Sequence, residues 1–323
     1  MKKIFVTGAT GFIGAHLCEL LHNQGFQIVA LKRVTSKSKL LNSYNVTFVD
    51  GDLLDKESVQ NGMKDCEAVF HLGAMISYFR KDVEIQRKIN VDGTRNVVDS
   101  AIELGIKKFV HVSSVAALGY DKHGGIANEL NPYNWPDGIN YNETKRTAEK
   151  FVKHAVSSGK LNAVIVNPTA VQGDRDIYKI STNDLLYQLS KGRIPGYIAG
   201  GATHADVKDV ALGIWLAFEK GRVGENYILG GEHYHHYDFL KMVCDVSGFS
   251  FNERKISHTV IRIAEKSFLL MELLGKKPPI ASWMCWLSRQ EIYHSSQKAI
   301  DELGYKISPM NKLNKNLPIL RIV

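Results

Sequence analysis

The chain has 323 residues, of which 44% are hydrophobic and 23% are charged, and its formal net charge at pH 7 is +8. This composition predicts a folded globular protein and excludes a disordered one; domains of about 150 residues each would allow one to three. No apolar run approaches the roughly 18 residues that a membrane-spanning helix needs. The N-terminus lacks the pattern of a signal peptide, so we expect a cytoplasmic protein with no membrane partner.

The positive charge is spread along the chain and is not concentrated in one patch. Its densest cluster consists of Lys32, Arg33, Lys37 and Lys39. No aromatic side chains interleave with these cations, so bases would find no stacking surface, and we expect no nucleic-acid partner. The four cysteines form no Cys-x-x-Cys pair. Their spacing favours reduced thiols over a disulfide framework or a zinc site, and we expect no metal.

The first half of the chain alternates short apolar segments with segments of helical period. Runs rich in Val, Ile and Phe predict buried strands at residues 3–7, 27–31, 46–49, 68–71, 108–112 and 163–166. Helices are predicted at residues 12–23, 84–104 and 141–157. This alternation predicts an α/β fold of the Rossmann type, a doubly wound parallel sheet with helices on both faces.

The strand–helix pattern weakens after about Gly173. A helix is predicted at residues 207–220 and a strand at 226–229, and the remainder reads as mainly helical. We predict a Rossmann domain of residues 1–172, to which residues 203–232 return. Residues 173–202 and 233–323 are predicted to form a smaller, mainly helical C-terminal substrate lobe. Within it, the leucine-rich stretch from Phe268 to Leu274 is interpreted as the buried face of a helix.

Three glycines follow the first predicted strand and open the first predicted helix. They are Gly8, Gly11 and Gly14, in the sequence Val-Thr-Gly-Ala-Thr-Gly-Phe-Ile-Gly. Glycine permits a tight turn and close backbone approach, and a helix N-terminus offers phosphates amide donors and a favourable dipole. In this strand–turn–helix context, the triplet predicts a site for the pyrophosphate of a dinucleotide.

The end of the second predicted strand bears on the choice of dinucleotide. An acidic residue at about this distance would bind the ribose hydroxyl of NAD, but Leu31 is followed by Lys32 and Arg33. Arg33 offers a planar, permanent cation to a 2′-phosphate, and Lys37 or Lys39 would add a second charge. The sequence therefore favours NADP, with NAD as the alternative.

Three side chains with acid–base character are predicted to meet at the carboxyl edge of the sheet. Ser114 follows the strand that ends at Val112, and Tyr141 and Lys145 lie four residues apart on one helix face. Hydride transfer to a carbonyl creates an alkoxide that must be protonated, and a tyrosine can supply that proton. We expect the ammonium of Lys145 to lower the tyrosine pKa, and Ser114 to hold the substrate oxygen.

These motifs together resemble the extended short-chain dehydrogenases/reductases of the NAD-dependent epimerase/dehydratase superfamily, most of all their dihydroflavonol-4-reductase-like branch. The resemblance covers nearly the whole chain. Its motifs lie at residues 7–14, 51–53, 71–74, 90–94, 113–114, 141–145, 167–169 and 206–211. The resemblance implies that Ser114, Tyr141 and Lys145 are catalytic and that the chain binds NAD(P).

The resemblance also implies where the cofactor lies. Asp52 and Leu53 would contact the adenine, Ala74 would lie beside the cofactor, and residues 166–169 would follow the nicotinamide. Lys145 would also bond its ribose. The predicted cofactor-binding positions are Thr7, Gly8, Gly11, Phe12, Ile13, Gly14, Arg33, Lys37, Asp52, Leu53, Leu72, Gly73, Ala74, Asn90, Val112, Ser113, Tyr141, Lys145, Asn167, Pro168 and Thr169.

The predicted reaction is the NADPH-dependent reduction of a ketone or aldehyde to an alcohol, as in dihydroflavonol reductases. Two alternatives remain open: a sugar-nucleotide epimerase that recycles bound NAD, and a redox sensor that binds NAD(P) without catalysis. Residues 170–196 are expected to line the pocket for a small carbonyl or alcohol substrate, without a signature of one particular substrate. The resemblance also implies a homodimer, joined through residues 84–104 and 141–157.

Overall fold

The computed structural model describes residues 2–177 and 182–313 of the chain. A sheet of seven parallel strands lies at its centre, and strands and helices are numbered here in chain order. The seven are β1 (Lys3–Thr7), β2 (Gln27–Lys32), β3 (Val46–Asp50), β4 (Ala68–His71), β5 (Lys108–Val112), β7 (Ala163–Pro168) and β11 (Asn226–Leu229). Their order across the sheet is β3-β2-β1-β4-β5-β7-β11. The order reverses at β1 and β4, which is where a doubly wound sheet binds its ligand.

Helices cover both faces of this sheet, as the alternating pattern predicts. One face carries α1 (Phe12–Asn23) and α7 (Val207–Lys220), and the other carries α2 (Lys56–Met63), α4 (Gly93–Glu103) and α5 (Asn140–Ser157). Alternate residues of β1 supply the two cores: Ile4 and Val6 pack with the first pair of helices, and Phe5 with the other three. The Rossmann-type fold class is therefore confirmed.

One predicted helix is interrupted in the structure. The segment predicted as one helix over residues 84–104 consists of α3 (Val83–Arg87), a π-helical turn over Lys88–Asp92, and α4. The turn places the buried Asn90 at the point where its side chain bonds to the loop after β4. π-Helical turns inside α-helices frequently accompany functional sites.

A second, smaller sheet lies beside the Rossmann core. It contains β6 (Ile126–Ala127), β8 (Ala170–Gln172), β10 (Gly201–Asp206), β12 (Glu232–His235) and β14 (Glu291–His294). Two further strands, β9 (Tyr197–Ile198) and β13 (Lys255–Ile256), pair with each other. The lobe helices are α6 (Thr182–Ser190), α8 (His236–Ser247), α9 (His258–Leu273), α10 (Ser282–Leu287), α11 (Gln297–Leu303) and α12 (Met310–Leu313).

Several segments lie on the other side of the boundary expected between the Rossmann domain and the substrate lobe. Strands β6 and β8 lie within residues 1–172 but belong to the second sheet, and β10 joins that sheet within the returning segment 203–232. Near the C-terminus, Ala299, Leu303 and Tyr305 pack into the Rossmann core. Periodicity identifies single elements, but their partners are chosen by contacts distant in sequence.

The interpretation of Phe268 to Leu274 as a buried helix face is wrong. The segment belongs to α9 and to the residue after it, but Leu270, Leu273 and Leu274 are exposed by 57%, 67% and 65%. Phe268 and Leu269 are half-buried. The helix therefore shows an apolar side to solvent as well as a side packed on the protein.

Candidate active site

The glycine turn between β1 and α1 is closely packed against neighbouring backbone. Gly8 has a φ of +72°, in the left-handed region that favours glycine. A Cβ atom on Gly8 would lie 2.8 Å from the backbone nitrogen of Gly73, and one on Gly14 would lie 2.1 Å from the carbonyl oxygen of Gly8. Side chains at either position would push the turn away from β4 or from its own helix.

The first turn of α1 keeps its amide groups available. Gly11 occupies the N-cap position without a side-chain cap, and the first turn contains no acidic residue. By contrast, α7 and α9 are capped by Asp206 and Ser257, whose side chains accept hydrogen bonds from first-turn amides. Free amides at a positive helix end, over a turn without side chains, fit a phosphate group.

The cations after β2 have different surroundings. Lys32 donates a hydrogen bond to Asp50 over 2.6 Å and lies over the ring of Phe48. Arg33 is exposed and makes no side-chain hydrogen bond or ion pair with any described residue. The guanidinium next to the ribose end of the expected cofactor site is thus free for an anionic ligand.

The loop after β3 packs against the loop after β4. The carboxylate of Asp52 accepts a hydrogen bond from the amide of Leu54 over 2.9 Å, which closes a tight turn. Leu53 lies against Gly73, where an added Cβ would meet its Cδ1 atom at 2.9 Å. These contacts bring Asp52 and Leu53 to the same sheet edge as the glycine turn.

Tyr141, Lys145 and Ser114 meet at the carboxyl end of β5. Tyr141 and Lys145 are buried and lie one turn apart at the start of α5. The ammonium of Lys145 donates a hydrogen bond to the carbonyl oxygen of Val112 over 2.9 Å. The hydroxyl of Ser114 lies beside the phenol of Tyr141 and acts on its pKa. Ser114 also accepts a bond from the amide of Ala116, which fixes its side chain at the strand end.

Burial outweighs the lowering of the Tyr141 pKa that we expect from Lys145. It raises the pKa of Tyr141 to about 12, and Ser114 offsets only part of the rise. Burial also lowers the pKa of Lys145 to about 8, although Glu149 raises it in part. The ammonium is directed to the carbonyl oxygen of Val112. A phenol with a pKa of about 12 is protonated at neutral pH.

Two predicted cofactor ligands have their side chains fully engaged within the protein. The amide of Asn90 bonds to both backbone groups of Met75 and to the hydroxyl of Thr144. The amide of Asn167 donates to the carbonyl oxygen of Ser114 and to Glu149, and accepts from Asn226. Sequence patterns identify such residues as important without revealing that they hold other residues in place.

A buried chain of hydrogen bonds joins the glycine turn to the π-helical turn. The hydroxyl of Thr94 donates to the carbonyl of Asn90, so the Nε2 of His71 donates to Thr94. The Nδ1 of His71 then accepts from the hydroxyl of Thr7, which itself accepts from the amide of Gly73. Burial lowers the pKa of His71 to about 3, so His71 is a neutral, hydrogen-bonded core residue.

Two buried hydroxyl groups near the expected nicotinamide site have no hydrogen-bond partner among the described residues. They are the Oγ of Ser113 and the Oγ1 of Thr169, which follow β5 and β7. Buried hydroxyls without partners are costly, so such atoms commonly await a ligand or water. Together with the uncapped amides of α1, they fit a dinucleotide along the carboxyl edge of the sheet.

Sequence reasoning missed Tyr78, Glu149 and an aromatic cluster. Tyr78 packs edge-on against Tyr141, with ring centroids 5.5 Å apart. It belongs with a cluster whose members are Tyr120, Tyr133, Trp135, Ile139, Trp283, Trp286, Leu287 and Ile292. Trp283 and Trp286 pack against each other in this cluster, with ring centroids 6.4 Å apart. No local motif marks these residues, because they come from four distant segments.

The described residues contain no group of three or more His, Cys, Asp or Glu side chains that could hold a metal ion. His233, which the sequence places three residues before His236, is hydrogen-bonded to Thr203. In the same residues, no helix combines the length and apolar character needed to cross a bilayer.

A glycine turn, a parallel sheet and a Ser–Tyr–Lys group at one edge define a dinucleotide-binding oxidoreductase of the extended short-chain dehydrogenase/reductase type. Residues 4–230 match the model of the NAD dependent epimerase/dehydratase family, and the chain belongs to that family. Its homologues include NAD(P)-dependent dehydrogenases and reductases that act on CH–OH and C=O groups.

Three similar proteins illustrate the relationship. A Synechocystis protein named "Putative dihydroflavonol 4-reductase" is 34% identical over 310 residues, covering 93% of this chain and 89% of its own. A Dictyostelium discoideum sterol-4-alpha-carboxylate 3-dehydrogenase, decarboxylating, is 26% identical and covers 98% of each chain. The crystal structure of gox2253 has a TM-score of 0.86 and 32% identity, covering 98% of this chain and 96% of that one. The predicted family is therefore confirmed.

Proposed function

We propose that the protein reduces a ketone or aldehyde to an alcohol with NADPH. The observation that carries this proposal is the buried Tyr141, which lies beside Ser114 and one turn before the buried Lys145, at the edge where the glycine turn lies. A phenol with a raised pKa is in the acid form that the reductive direction requires. An alkoxide is a far stronger base than a phenolate, so proton transfer to it is favourable even at this pKa.

When bound, the nicotinamide supplies a hydride, two electrons and a hydrogen nucleus, to the carbonyl carbon. Tyr141 donates its proton to the carbonyl oxygen as the C=O π bond breaks, which balances the reaction to an alcohol and NADP⁺. Ser114, held by the amide of Ala116, orients the substrate oxygen toward the phenol. The buried positive charge of Lys145 stabilises the phenolate that remains until a proton returns from solvent.

The cofactor choice rests on the region after β2. Arg33 is exposed and has no described partner, whereas Lys32 is paired with Asp50. A bidentate guanidinium suits a 2′-phosphate, and the exposed Lys37 adds positive charge nearby. We therefore propose NADP, with NAD as the alternative. Replacing Arg33 with Ala should lower kcat/KM with NADPH about 10-fold to 100-fold and change that with NADH little.

The substrate pocket is proposed to lie between Tyr141 and the aromatic cluster. Flat rings such as Trp135 and Trp286 favour an apolar, ring-bearing carbonyl compound over a charged sugar nucleotide. The names of the similar proteins, a dihydroflavonol reductase and a sterol dehydrogenase, support the same substrate character. Residues 178–181 of the expected pocket lining lie outside the described residues.

The proposed division is an NAD(P)-binding Rossmann domain and a substrate lobe, in a cytoplasmic homodimer. The outer side of α4 and α5 supports the dimer, because Phe151 and Ile102 are part-exposed there and the guanidinium of Arg95 lies 4.4 Å from the Phe151 ring centroid. Light scattering should give twice the chain mass at micromolar concentration, and Phe151→Glu should give the single mass. A monomer for the unaltered protein would contradict the dimer.

The identity and exchange rate of the nucleotide that copurifies with the protein test the proposed reaction. Denaturing a fresh preparation releases the nucleotide, and added NADPH or NADH reveals whether it exchanges in the native protein. Readily exchanged NADP(H) is expected, because a reductase must release its oxidised cofactor after every turnover. Tightly held NAD that resists exchange would instead indicate the epimerase, and exchange without turnover of any carbonyl compound would indicate a sensor.

A further inference from the structure

The outward side of α9 carries a stripe of apolar side chains. Val260, Ile263, Leu270, Leu273 and Leu274 are exposed by 54%, 62%, 57%, 67% and 65%, and we call them the α9 face. Their spacing of three, seven, three and one residues places them along one side of the helix. The opposite side packs on α10 and the body of the lobe, where Ile261 is buried.

Such an arrangement is unusual for a surface helix, because single exposed apolar residues are common but several on one side of a helix indicate an interaction site. The exposed Lys266 and Ser267 separate the two apolar groups of this side. Three of the five side chains are leucines near the C-terminal end of the helix. No described residue covers the stripe. Something outside this chain's described residues is therefore expected to bind it.

The exposed charged side chains of residues 258–277 are all positive. Arg262 and Lys266 are exposed on the helix, and Lys276 and Lys277 are exposed just after it. The two carboxylates of α9 are engaged on its inner side. Glu265 pairs with Arg289, and Glu272 accepts a hydrogen bond from Ser282 over 2.8 Å. The apolar stripe is thus flanked by cations without exposed acids from residue 258 to residue 277.

We propose that the α9 face docks on the surface of a membrane that contains anionic lipids. The apolar side chains would enter the boundary of the acyl chains, and the four cations would bind the lipid headgroups. A helix of 16 residues is about 24 Å long, and it would lie flat in the interface because its other side is bound to the protein.

Charge complementarity selects a lipid surface over a second copy of the chain. A two-fold symmetric contact would place the α9 face against itself, and the cations of one copy would then face those of the other. An anionic bilayer offers apolar and negative components together. This docking does not depend on the proposed reaction.

The position of α9 links docking to the candidate substrate pocket. Helix α10, which packs on α9, carries Trp283 and Trp286 of the aromatic cluster beside Tyr141. The ammonium of Lys277 also lies 5.6 Å from the ring centroid of Phe79, one residue after Tyr78. A docked protein would hold this side of its pocket near the lipid.

The experiment is vesicle flotation with the full chain at two lipid compositions. Phosphatidylcholine with about 30% phosphatidylglycerol should bind the protein, and phosphatidylcholine alone should bind it at least about tenfold less. The double variant Leu270→Glu, Leu274→Glu should lose at least about tenfold in vesicle affinity, because two apolar side chains leave the interface. The double variant Arg262→Gln, Lys266→Gln should lose about fivefold for each charge removed.

A matched control has the same change in net charge at other sites. Leu130 and Val223 are exposed by 89% and 53% but lie outside the α9 face, so Leu130→Glu, Val223→Glu should bind vesicles normally. Circular dichroism checks that each variant is folded. Absent binding by the unaltered protein, or equal loss in both glutamate variants, would overturn the proposal. If the unaltered protein forms a dimer but does not bind vesicles, and Leu270→Glu, Leu274→Glu is a monomer, the α9 face is instead a contact between two copies of the chain.

Discussion

Tyr141 illustrates how burial sets the protonation state of one residue. Its raised pKa keeps the phenol protonated, and the nearby Ser114 offsets only part of the rise. In the oxidative direction the same residue would have to act as a phenolate, which burial disfavours. At neutral pH the resting side chain therefore carries the proton with which the reductive direction would begin.

Replacing Tyr141 with Phe should lower kcat for carbonyl reduction about 100-fold to 10,000-fold, because the proton donor is lost while the ring remains. NADPH affinity, measured by fluorescence titration, should stay within about twofold. The matched control is Tyr78→Phe, which removes a hydroxyl from the ring packed against Tyr141. Equal losses in the two variants would show that Tyr141 has no special role as an acid.

Lys145 should give the reduction a pH limit. Its pKa is lowered to about 8, so the ammonium is present below that pH and is lost as the pH rises through it. If the charge stabilises the phenolate, kcat/KM should be level near neutral pH and then fall about tenfold per unit at higher pH. Lys145→Arg, which stays charged, should be less active but without this alkaline decline. If Lys145→Arg shows the same alkaline decline in kcat/KM, the decline comes from the titration of a group other than Lys145.

At the scale of elements, α5 is joined to the sheet by one buried carboxylate. Glu149, one turn after Lys145, accepts hydrogen bonds from Asn226 over 2.8 Å and from Asn167 over 3.0 Å. Asn167 in turn donates to the carbonyl oxygen of Ser114. Glu149 therefore holds the helix with the tyrosine and lysine in register with the strand end that carries the serine.

Glu149→Gln should destabilise the protein by about 1–3 kcal/mol. Each carboxylate oxygen of Glu149 accepts a hydrogen bond from one asparagine, whereas glutamine has a single acceptor oxygen, so its NH2 group would face the NH2 group of the other asparagine. The alkaline decline in kcat/KM should also move to lower pH, because Glu149 raises the pKa of Lys145. Urea unfolding and the pH profile measure the two effects. Lys153→Met removes only the part-exposed partner of Glu149 and should cost less than about 1 kcal/mol. A variant that unfolds earlier but keeps its pH profile would limit Glu149 to a structural role.

At the scale of the whole molecule, buried neutral histidines are a shared feature. His71, His111, His204 and His294 are buried, and burial lowers the pKa of each from 6.5, to about 3 for His71 and His204 and to about 4 for His294. Burial also lowers the pKa of the half-buried His236 to about 4. The unfolded chain would bind protons at these side chains below about pH 6.5, whereas the folded chain would not. Their contribution to stability is complete above that pH and is lost as the pH falls.

The free energy of unfolding should fall by about 1.4 kcal/mol per pH unit for each of these histidines below about pH 6.5. Urea unfolding at several pH values between neutral and about pH 5 measures this slope. His204→Gln should reduce the slope by about 1.4 kcal/mol per pH unit, the share of one histidine, whatever it does at neutral pH. The exposed His123, replaced by Gln, is the matched control and should leave the slope unchanged. Stability that is level down to about pH 5 would contradict the prediction.

The sequence by itself determined the elements that local chemistry controls. Strand β1 and helices α1 and α7 begin and end at the predicted residues, because apolar runs and helical periods depend on near neighbours. The glycine turn and the Ser–Tyr–Lys group were also found from spacing, since each has a motif that strand–turn–helix geometry requires.

Tertiary structure decided what depends on contacts between distant segments. It engaged the amides of Asn90 and Asn167 within the protein, and it directed Lys145 to Val112, because those partners are separated by many residues in sequence. It also left the leucines of α9 exposed, since a helical period reveals that an apolar side exists but not whether the chain covers it.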